Sequence, residues 1–300
     1  MKRTRIWKKA VVGALLSLAC VIALAQGMGL GQGGGGRNGR GFGGGGSLRP
    51  TVEWKLPVGF EKDSITFVRL WVPGGGRNRS GGYGGGSDFP GAENNLSYRL
   101  QQLTSMQVNP HPEQMELTDP RLIEYPFVFM NDPRYLNLND AEIKSLRKYL
   151  LNGGFLMVDD FWGPYMMDNF KRQMQKVLPG KPPQSLPFDH EIFRFIYPVA
   201  VKPQVPSDDS AIRNRYEGGA LRTWEDEFSN QTPQPADYVA WHDDKGRIVV
   251  LVCHNTDLSD GWEREDGWRN ADDGYWFFTT YSQPLAYPMA INIFFYALTH

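Results

Sequence analysis

The pattern of apolar and polar positions beyond residue 60 alternates between two periods. Short apolar runs rich in β-branched and aromatic residues predict buried strands, and they occupy residues 65–71, 127–130, 155–158 and 248–253. Segments with apolar residues on one helical face, and one nearly all-apolar segment near the end, predict helices over residues 96–103, 139–153, 167–178 and 288–298. This alternation predicts an α/β fold with a mostly parallel sheet and helices on both faces.

The first 25 residues have the pattern of a secretory signal. Basic residues precede an uncharged apolar run, which ends in Ala23-Leu24-Ala25, the small-residue pattern that signal peptidase recognises. We expect cleavage after Ala25 and export to the periplasm or cell envelope. Because the apolar run is long for a signal, a retained membrane anchor is the alternative. Cys20 is followed by apolar residues, so lipidation is not expected.

Glycine-rich stretches divide the remaining chain. Residues 26–50 form a leader that cannot bury enough apolar surface to order itself, so it predicts a flexible tether. Residues 51–300 are of a size that one hydrophobic core can support, and we expect a single domain. A second glycine-rich stretch, 74–91, interrupts this domain between a strand and a helix. Its length indicates a functional loop or a disordered insert.

Charge and cysteine content argue against a nucleic-acid-binding protein and against a fold stabilised by disulfides. The net charge is −1 at pH 7, and the predicted signal contains basic residues but no acid, so the mature chain is more acidic still. This balance argues against nucleic-acid binding. The many acids between residues 217 and 273 indicate either a solvated face or a surface for divalent cations. Cys253 is the only cysteine after the signal, so no intrachain disulfide is expected.

Asp159 and Asp160 directly follow the predicted strand 155–158. In parallel sheets, ligands bind beyond the carboxyl ends of the strands, so these residues are candidates for a ligand site. Two carboxylates at the end of a buried strand are costly unless they are paired, hydrogen-bonded or bound to a cation. One of them could instead cap the next helix, and we expect only one to face a cleft. Trp162 could stack on a flat ligand, although a core position is the more common role of a lone tryptophan.

A second polar cluster follows the strand 248–253 and contains Asn255, Asp257 and Trp262, which we include in the candidate site. The adjacent Cys253 and His254 point to opposite faces of a strand, so they do not form a nucleophile–base pair. His190 precedes a short apolar run, where it either joins the aspartates or caps a local turn. The spacing of the histidines predicts neither a metal nor a cofactor, and a metal site would have to be assembled across loops.

The chain resembles the bacterial family called domain of unknown function 4159. Four stretches carry the resemblance, together with the terminal residues 296–300: residues 125–130, 149–163, 186–193 and 253–255. The resemblance covers about residues 50–300 and implies an exported or membrane-attached protein. It also implies a three-layer fold similar to the flavodoxin-like class I glutamine amidotransferases. The family has no assigned activity. Amidotransferases carry a cysteine nucleophile at a sharp turn, and the comparable turn here carries Asp159 and Asp160, so thiol-based glutamine hydrolysis is not expected.

These observations leave two functional hypotheses. The first is a non-catalytic binding or scaffold module of the cell envelope, with a cleft at the strand ends for a small polar or carbohydrate ligand or for a protein partner. The alternative is a metal-assisted or carboxylate–histidine hydrolase that uses Asp159 or Asp160 with His190. Carboxylates held against helix N–H groups would favour the first. Convergence of the carboxylates and His190 in one pocket would favour the second.

Overall fold

The computed structural model describes most of the chain beyond residue 53. The described ranges are 54–59, 63–71, 89–218, 221–225, 234–263 and 271–300. The predicted signal and leader, residues 1–50, lie outside them, as does nearly all of the glycine-rich stretch 74–91.

A seven-stranded sheet forms the centre of the molecule, in the order β2-β1-β3-β4-β7-β6-β5. Its strands are β1 Val68–Trp71, β2 Glu113–Glu116, β3 Phe127–Asn131, β4 Phe155–Asp159, β5 Gln184–Ser185, β6 Asp237–His242 and β7 Ile248–His254. Strands β2, β1, β3, β4 and β7 are parallel, whereas β6 and β5 add an antiparallel edge. Counted along the chain, the parallel strands follow the order 2-1-3-4-5 of flavodoxin-like sheets. The predicted α/β fold is confirmed.

Helices cover both faces of this sheet. They are α1 Gly91–Leu103, α2 Asp140–Leu151, α3 Gly163–Val177, α4 Asp208–Tyr216, α5 Asp260–Glu263, α6 Ala271–Phe277 and α7 Tyr287–Thr299, with a π-helical segment, Phe278–Ala286, between α6 and α7. Helices α1 and α7 pack on one face, and α2 and α3 pack on the other. Within the described ranges, no helix combines the length and the apolar character that crossing a membrane requires.

Helix α2 shows how local sequence fixes the ends of an element. The Asn139 side chain accepts hydrogen bonds from the backbone N–H groups of Ala141 and Glu142, and the Glu142 carboxylate accepts the N–H of Asn139 in return. This reciprocal arrangement is a capping box. The helix ends at Leu151, and Gly153 turns the chain at a φ of +109°.

The alternation of side chains along β4 determines where its terminal residue points. Phe155 and Met157 belong to the core under α1 and α7, whereas Leu156 and Val158 belong to the core under α2 and α3. Asp159 therefore lies on the face covered by α1 and α7, with the neighbouring Cys253 of β7 on the same face.

Candidate functional site

Three neighbouring strands turn sharply where they end at the carboxyl edge of the sheet. The residue after β3, β4 and β7 has a positive φ in each case: +49° at Asp132, +59° at Asp160 and +57° at Asn255. Left-handed backbone is uncommon outside glycine, and Asp and Asn tolerate it best. Polar side chains from three separate parts of the chain thus leave the sheet at the same edge.

Asp159 is a wholly buried carboxyl that supports the turn before α5. Its Oδ2 accepts the backbone N–H of Ser259 at 2.9 Å, whereas Oδ1 has no hydrogen-bond partner. Burial raises the pKa of Asp159 to about 7, although the backbone N–H group of Ser259 works in the opposite direction. This residue is held by a helix-start N–H group, as a structural carboxyl would be.

Ser259 joins three strand ends into one buried polar network. Its Oγ lies 2.9 Å from Asp257 Oδ1 and 3.2 Å from Asn131 Oδ1, and the backbone N–H of Asp260 also donates to Asp257 Oδ1 at 3.0 Å. These side chains are nearly or fully buried. Asp257 therefore caps α5 while its carboxylate stays within the influence of Asp159.

Asp160 differs from its neighbour because it is partly exposed. Within the described part of the chain, its carboxyl makes no hydrogen bond. Burial by the surrounding protein raises the pKa of Asp160 well above its usual range. The negative charges of Asp257, Asp132 and Glu225 raise it further, and the positive charge of Arg134 opposes them. We call Asp132, Asp160, Glu225 and Asp257 the acidic edge.

Two members of the acidic edge were not predicted from the sequence. Asp132 follows β3 as Asp160 follows β4, so its place after an apolar run was a usable signal, and it forms an ion pair with Arg134. Glu225 lies in an irregular segment, and its Oε1 accepts the backbone N–H of Ser207 at 2.6 Å. No periodic pattern distinguishes Glu225 from the other acids between residues 217 and 273.

Asn255 fastens the end of β7 to the start of α3. Its Oδ1 accepts the backbone N–H of Gly163 at 2.8 Å, and its Nδ2 donates to the Pro235 carbonyl at 3.1 Å. His254 Nε2 lies 3.0 Å from the Gly163 carbonyl, and burial lowers the pKa of His254 to about 4, so this imidazole is neutral at pH 7. The Asn255 amide and the His254 Nε2 atom are thus engaged within the fold.

Both candidate tryptophans lie in the core. Trp162, which precedes α3, is 2% exposed, and Trp262 of α5 is fully buried, with its ring centroid 6.4 Å from that of Phe129. Neither ring offers a face to a ligand in this structure. They anchor the elements that carry the acidic edge.

His190 is not brought to the aspartates. Its Nδ1 accepts the backbone N–H of Ile192 at 3.2 Å, and its ring lies 5.9 Å from that of Tyr296. Burial lowers the pKa of His190, and the charged groups that act on it include His242, which pairs with the first residue of β7 at the opposite edge of the sheet. His190 thus performs the local capping role that the sequence left open.

Cys253 is a fully buried strand residue, as the sequence predicts. Burial and the nearby charge of Asp159 raise the pKa of its thiol well above the usual value, so the nucleophilic thiolate is disfavoured. In the part of the chain that the structure describes, no three His, Cys, Asp or Glu side chains are arranged to hold a metal ion.

Comparison with known proteins identifies a family whose function is not known. No curated protein matches the chain. The family model described as Domain of unknown function (DUF4159) matches residues 79–298, which takes in α1 through nearly all of α7 and every strand of the acidic edge. The chain therefore belongs to the DUF4159 family.

Proposed function

We propose that the mature chain is an exported cell-envelope protein that binds a small polar ligand at the acidic edge, without catalysing a reaction on it. The observation that carries this proposal is Asp160. It is a partly exposed carboxyl in a left-handed backbone conformation, at the end of a central strand and among like charges. Backbone strain and perturbed pKa values tend to cluster at functional sites.

The electrostatics of the acidic edge oppose folding. Each carboxylate that ionises there meets other negative charges in a partly dehydrated environment, which destabilises the folded state. A ligand that donates hydrogen bonds to these groups would remove part of that penalty. Its binding would then stabilise the fold by mass action, by about 2.7 kcal/mol at one hundred times its Kd.

Binding is favoured over hydrolysis because the side chains that a hydrolase would need lie apart from one another. A carboxylate–histidine hydrolase needs a base close to the nucleophile or to its water. His190 contacts Tyr296, His254 contacts Gly163, and Cys253 is buried in the strand. The carboxylates of the acidic edge lie close enough to raise one another's pKa instead.

A thermal-shift screen tests the binding proposal. Purified residues 26–300, the variant D160N and the control D244N are screened against sugars, amines and divalent cations. Asp244 is an exposed acid, 91% accessible, paired with Lys181 away from the acidic edge. We expect a compound that stabilises wild type and D244N but not D160N. Stabilisation of all three proteins by every active compound would contradict the proposal.

Export is tested separately. The basic start, the uncharged run and the Ala-x-Ala pattern support cleavage after Ala25. Amino-terminal sequencing of protein recovered from cells should therefore begin at Gln26. Membrane-bound protein that begins at Met1 would indicate an anchor instead.

A further inference from the structure

We propose that the outer face of α2 and α3 binds the surface of an anionic lipid bilayer. This inference goes beyond the ligand site at the acidic edge and concerns a separate part of the molecule. Three observations support it: the segregation of charge along the two helices, the packing that joins them into one surface, and an exposed leucine beside the charges.

Positive and negative charges are separated along these two helices. Each helix carries its acids in its first half, Asp140 and Glu142 in α2 and Asp168 in α3. Residues 143–151 and 169–177 contain no acid and six cations, which we call the basic face: Lys144, Arg147, Lys148, Lys171, Arg172 and Lys176. The net charge of the whole chain is −1, so this concentration of cations is a local feature rather than a consequence of composition.

The cations of the basic face are available for an interaction. Five of the six side chains are exposed. Within the described residues none of the six forms an ion pair, and the side chains of Arg172 and Lys176 donate to neutral amides. Interaction with the helix dipole accounts for Lys148 and Lys176, which lie in the last turns, but not for the cations before them.

The sixth cation, Arg147, joins the two halves of the basic face. Its guanidinium donates to the carbonyls of Lys176 and Val177 at 2.5 and 2.7 Å, so the last turn of α3 lies against α2. Lys144 and Lys148 are four residues apart on the outward side of α2, and Lys176 has an equivalent neighbour one turn earlier on α3. Because both helices cover the same face of the sheet, these cations belong to one surface.

An exposed leucine adjoins the basic face. Leu151 is the last residue of α2 and is 48% exposed. It follows Lys148 by three residues and therefore lies beside it on the helix surface. Apolar side chains flanked by long cationic ones are typical of helices that lie at a membrane interface, where the apolar group enters the lipid and the cations meet the headgroups. A soluble polyanion would make use of the cations only, so Leu151 favours a lipid surface.

The basic face lies towards the opposite edge of the sheet from the acidic edge. Helix α3 begins beside the acidic edge, where the backbone N–H of Gly163 donates to Asn255, and its cations follow in its second half. A bilayer bound to the basic face would therefore lie away from the carboxylates, which anionic lipid repels. The export that we propose would also bring the protein to a membrane.

Vesicle flotation with residues 26–300 tests the inference. This chain contains every described element of the fold and lacks the apolar signal segment, which would itself bind lipid. Vesicles of phosphatidylglycerol and phosphatidylcholine in equal parts are compared with vesicles of phosphatidylcholine alone. We expect binding to the anionic vesicles at least tenfold tighter than to the neutral ones. Raising the salt from about 0.1 M to about 0.5 M should remove most of the binding, because salt screens exposed charges.

Variants place the binding on the basic face. Each cation near an anionic surface contributes about fivefold to binding, so K148Q should weaken it by about fivefold and K144Q/K148Q by tenfold or more. K171Q/R172Q tests the α3 half in the same way. L151S should weaken binding about two- to fivefold without changing its salt dependence. These side chains lie on the outside of the fold, so the melting temperatures should stay close to that of wild type.

The matched control is K55Q. Lys55 is exposed, and the adjacent Trp54 donates to the Val108 carbonyl at 2.7 Å, with its ring centroid 5.7 Å from that of Tyr98 in α1. These contacts place Lys55 on the face of the sheet opposite to the basic face. K55Q removes the same charge as K148Q, and we expect it to bind anionic vesicles as wild type does.

Three outcomes would overturn the inference. They are no binding to anionic vesicles, equal binding to both kinds of vesicle, and equal affinities of K148Q and K55Q. Tighter binding to soluble polyphosphate that L151S does not alter would also overturn it and would assign the basic face to an anionic polymer. None of these outcomes bears on the acidic edge, whose ligand is tested separately with D160N.

Discussion

The pKa of an acidic side chain is shifted in opposite directions at the two edges of the sheet. At the amino edge, Asp243 precedes β7. Burial acts to raise its pKa, but hydrogen bonds from the backbone N–H groups of Arg247 and Lys245, together with the Arg247 side chain, outweigh this and lower it. The same guanidinium donates to the carbonyls of Leu150, Gly153 and Gly154 at the end of α2. At the carboxyl edge, the pKa of Asp160 is raised instead.

This difference distinguishes an edge that stabilises the fold from the edge that carries the proposed ligand site. The amino edge neutralises its charges and closes the end of a helix, which is what folding requires. The carboxyl edge keeps like charges close together, which destabilises the fold. In α/β proteins ligands bind at this edge, which is why we place the proposed ligand site there.

The largest expected effect comes from D159N, which removes a buried ionisable group. Because the folded-state pKa of Asp159 is about 7 and the unfolded value is about 4, the stabilising effect of its proton is fully present below pH 4. It is lost as the pH rises to 7. The variant should therefore match wild type near pH 4 and exceed it at pH 8, by about 4 kcal/mol at most. Urea unfolding at both pH values measures this, and a variant less stable than wild type at pH 8 would contradict the account.

R247A should produce the next largest effect, in the opposite direction. The guanidinium donates to three backbone carbonyls and to Asp243, and its loss removes one donor from each of these acceptors. We expect a loss of about 3 kcal/mol. Binding of the screened ligand should be unchanged at temperatures where the variant is folded. A change in affinity without a change in stability would contradict the view that the amino edge stabilises the fold and the carboxyl edge binds the ligand.

The sequence predicted the core of the fold because its elements carry strong periodic signals. Strands β3, β4 and β7 are wholly buried, so they appear as apolar runs, and α2 carries its own capping box. Strand β2 was missed because it is polar, with only Met115 buried, and α4 was missed because it buries only Asp208 and Ala211. These elements depend on tertiary contacts rather than on local pattern.

The candidate site was only partly predictable for the same reason. Asp159 ends a buried strand, and Asp160, Asn255 and Asp257 follow buried strands, so their position at one edge follows from the parallel topology. His190 lies apart from them because proximity to a strand in sequence does not say which edge its loop reaches. Glu225 comes from an irregular segment that no periodic signal marks.

S259A should have a smaller effect on stability. The hydroxyl contacts Asp257 and Asn131 in a buried network, and its removal leaves their polar atoms with fewer partners. We expect a loss of roughly 1–2 kcal/mol, measured by urea unfolding at pH 5. The backbone N–H that supports Asp159 is retained in this variant. A loss above about 4 kcal/mol would mean that the network is the main support of the carboxyl edge, which the account does not predict.

D244N should have the smallest effect and serves as the matched control. Its pair with Lys181 is exposed, so we expect a stability change within about 0.5 kcal/mol at any pH between 5 and 8. A larger change would show that acids outside the acidic edge also govern the pH dependence.

The most direct test is an NMR titration of the side-chain carboxyl carbons of Asp160 and Asp243 in the same sample. Asp160 should take up its proton well above the usual aspartate range, whereas Asp243 should do so below it. Addition of a screened ligand that donates hydrogen bonds to Asp160 should bring the Asp160 titration down towards that of Asp243. Asp160 titrating near pH 4 without ligand would contradict the claim that the carboxyl edge holds unfavourable charge for a ligand to relieve.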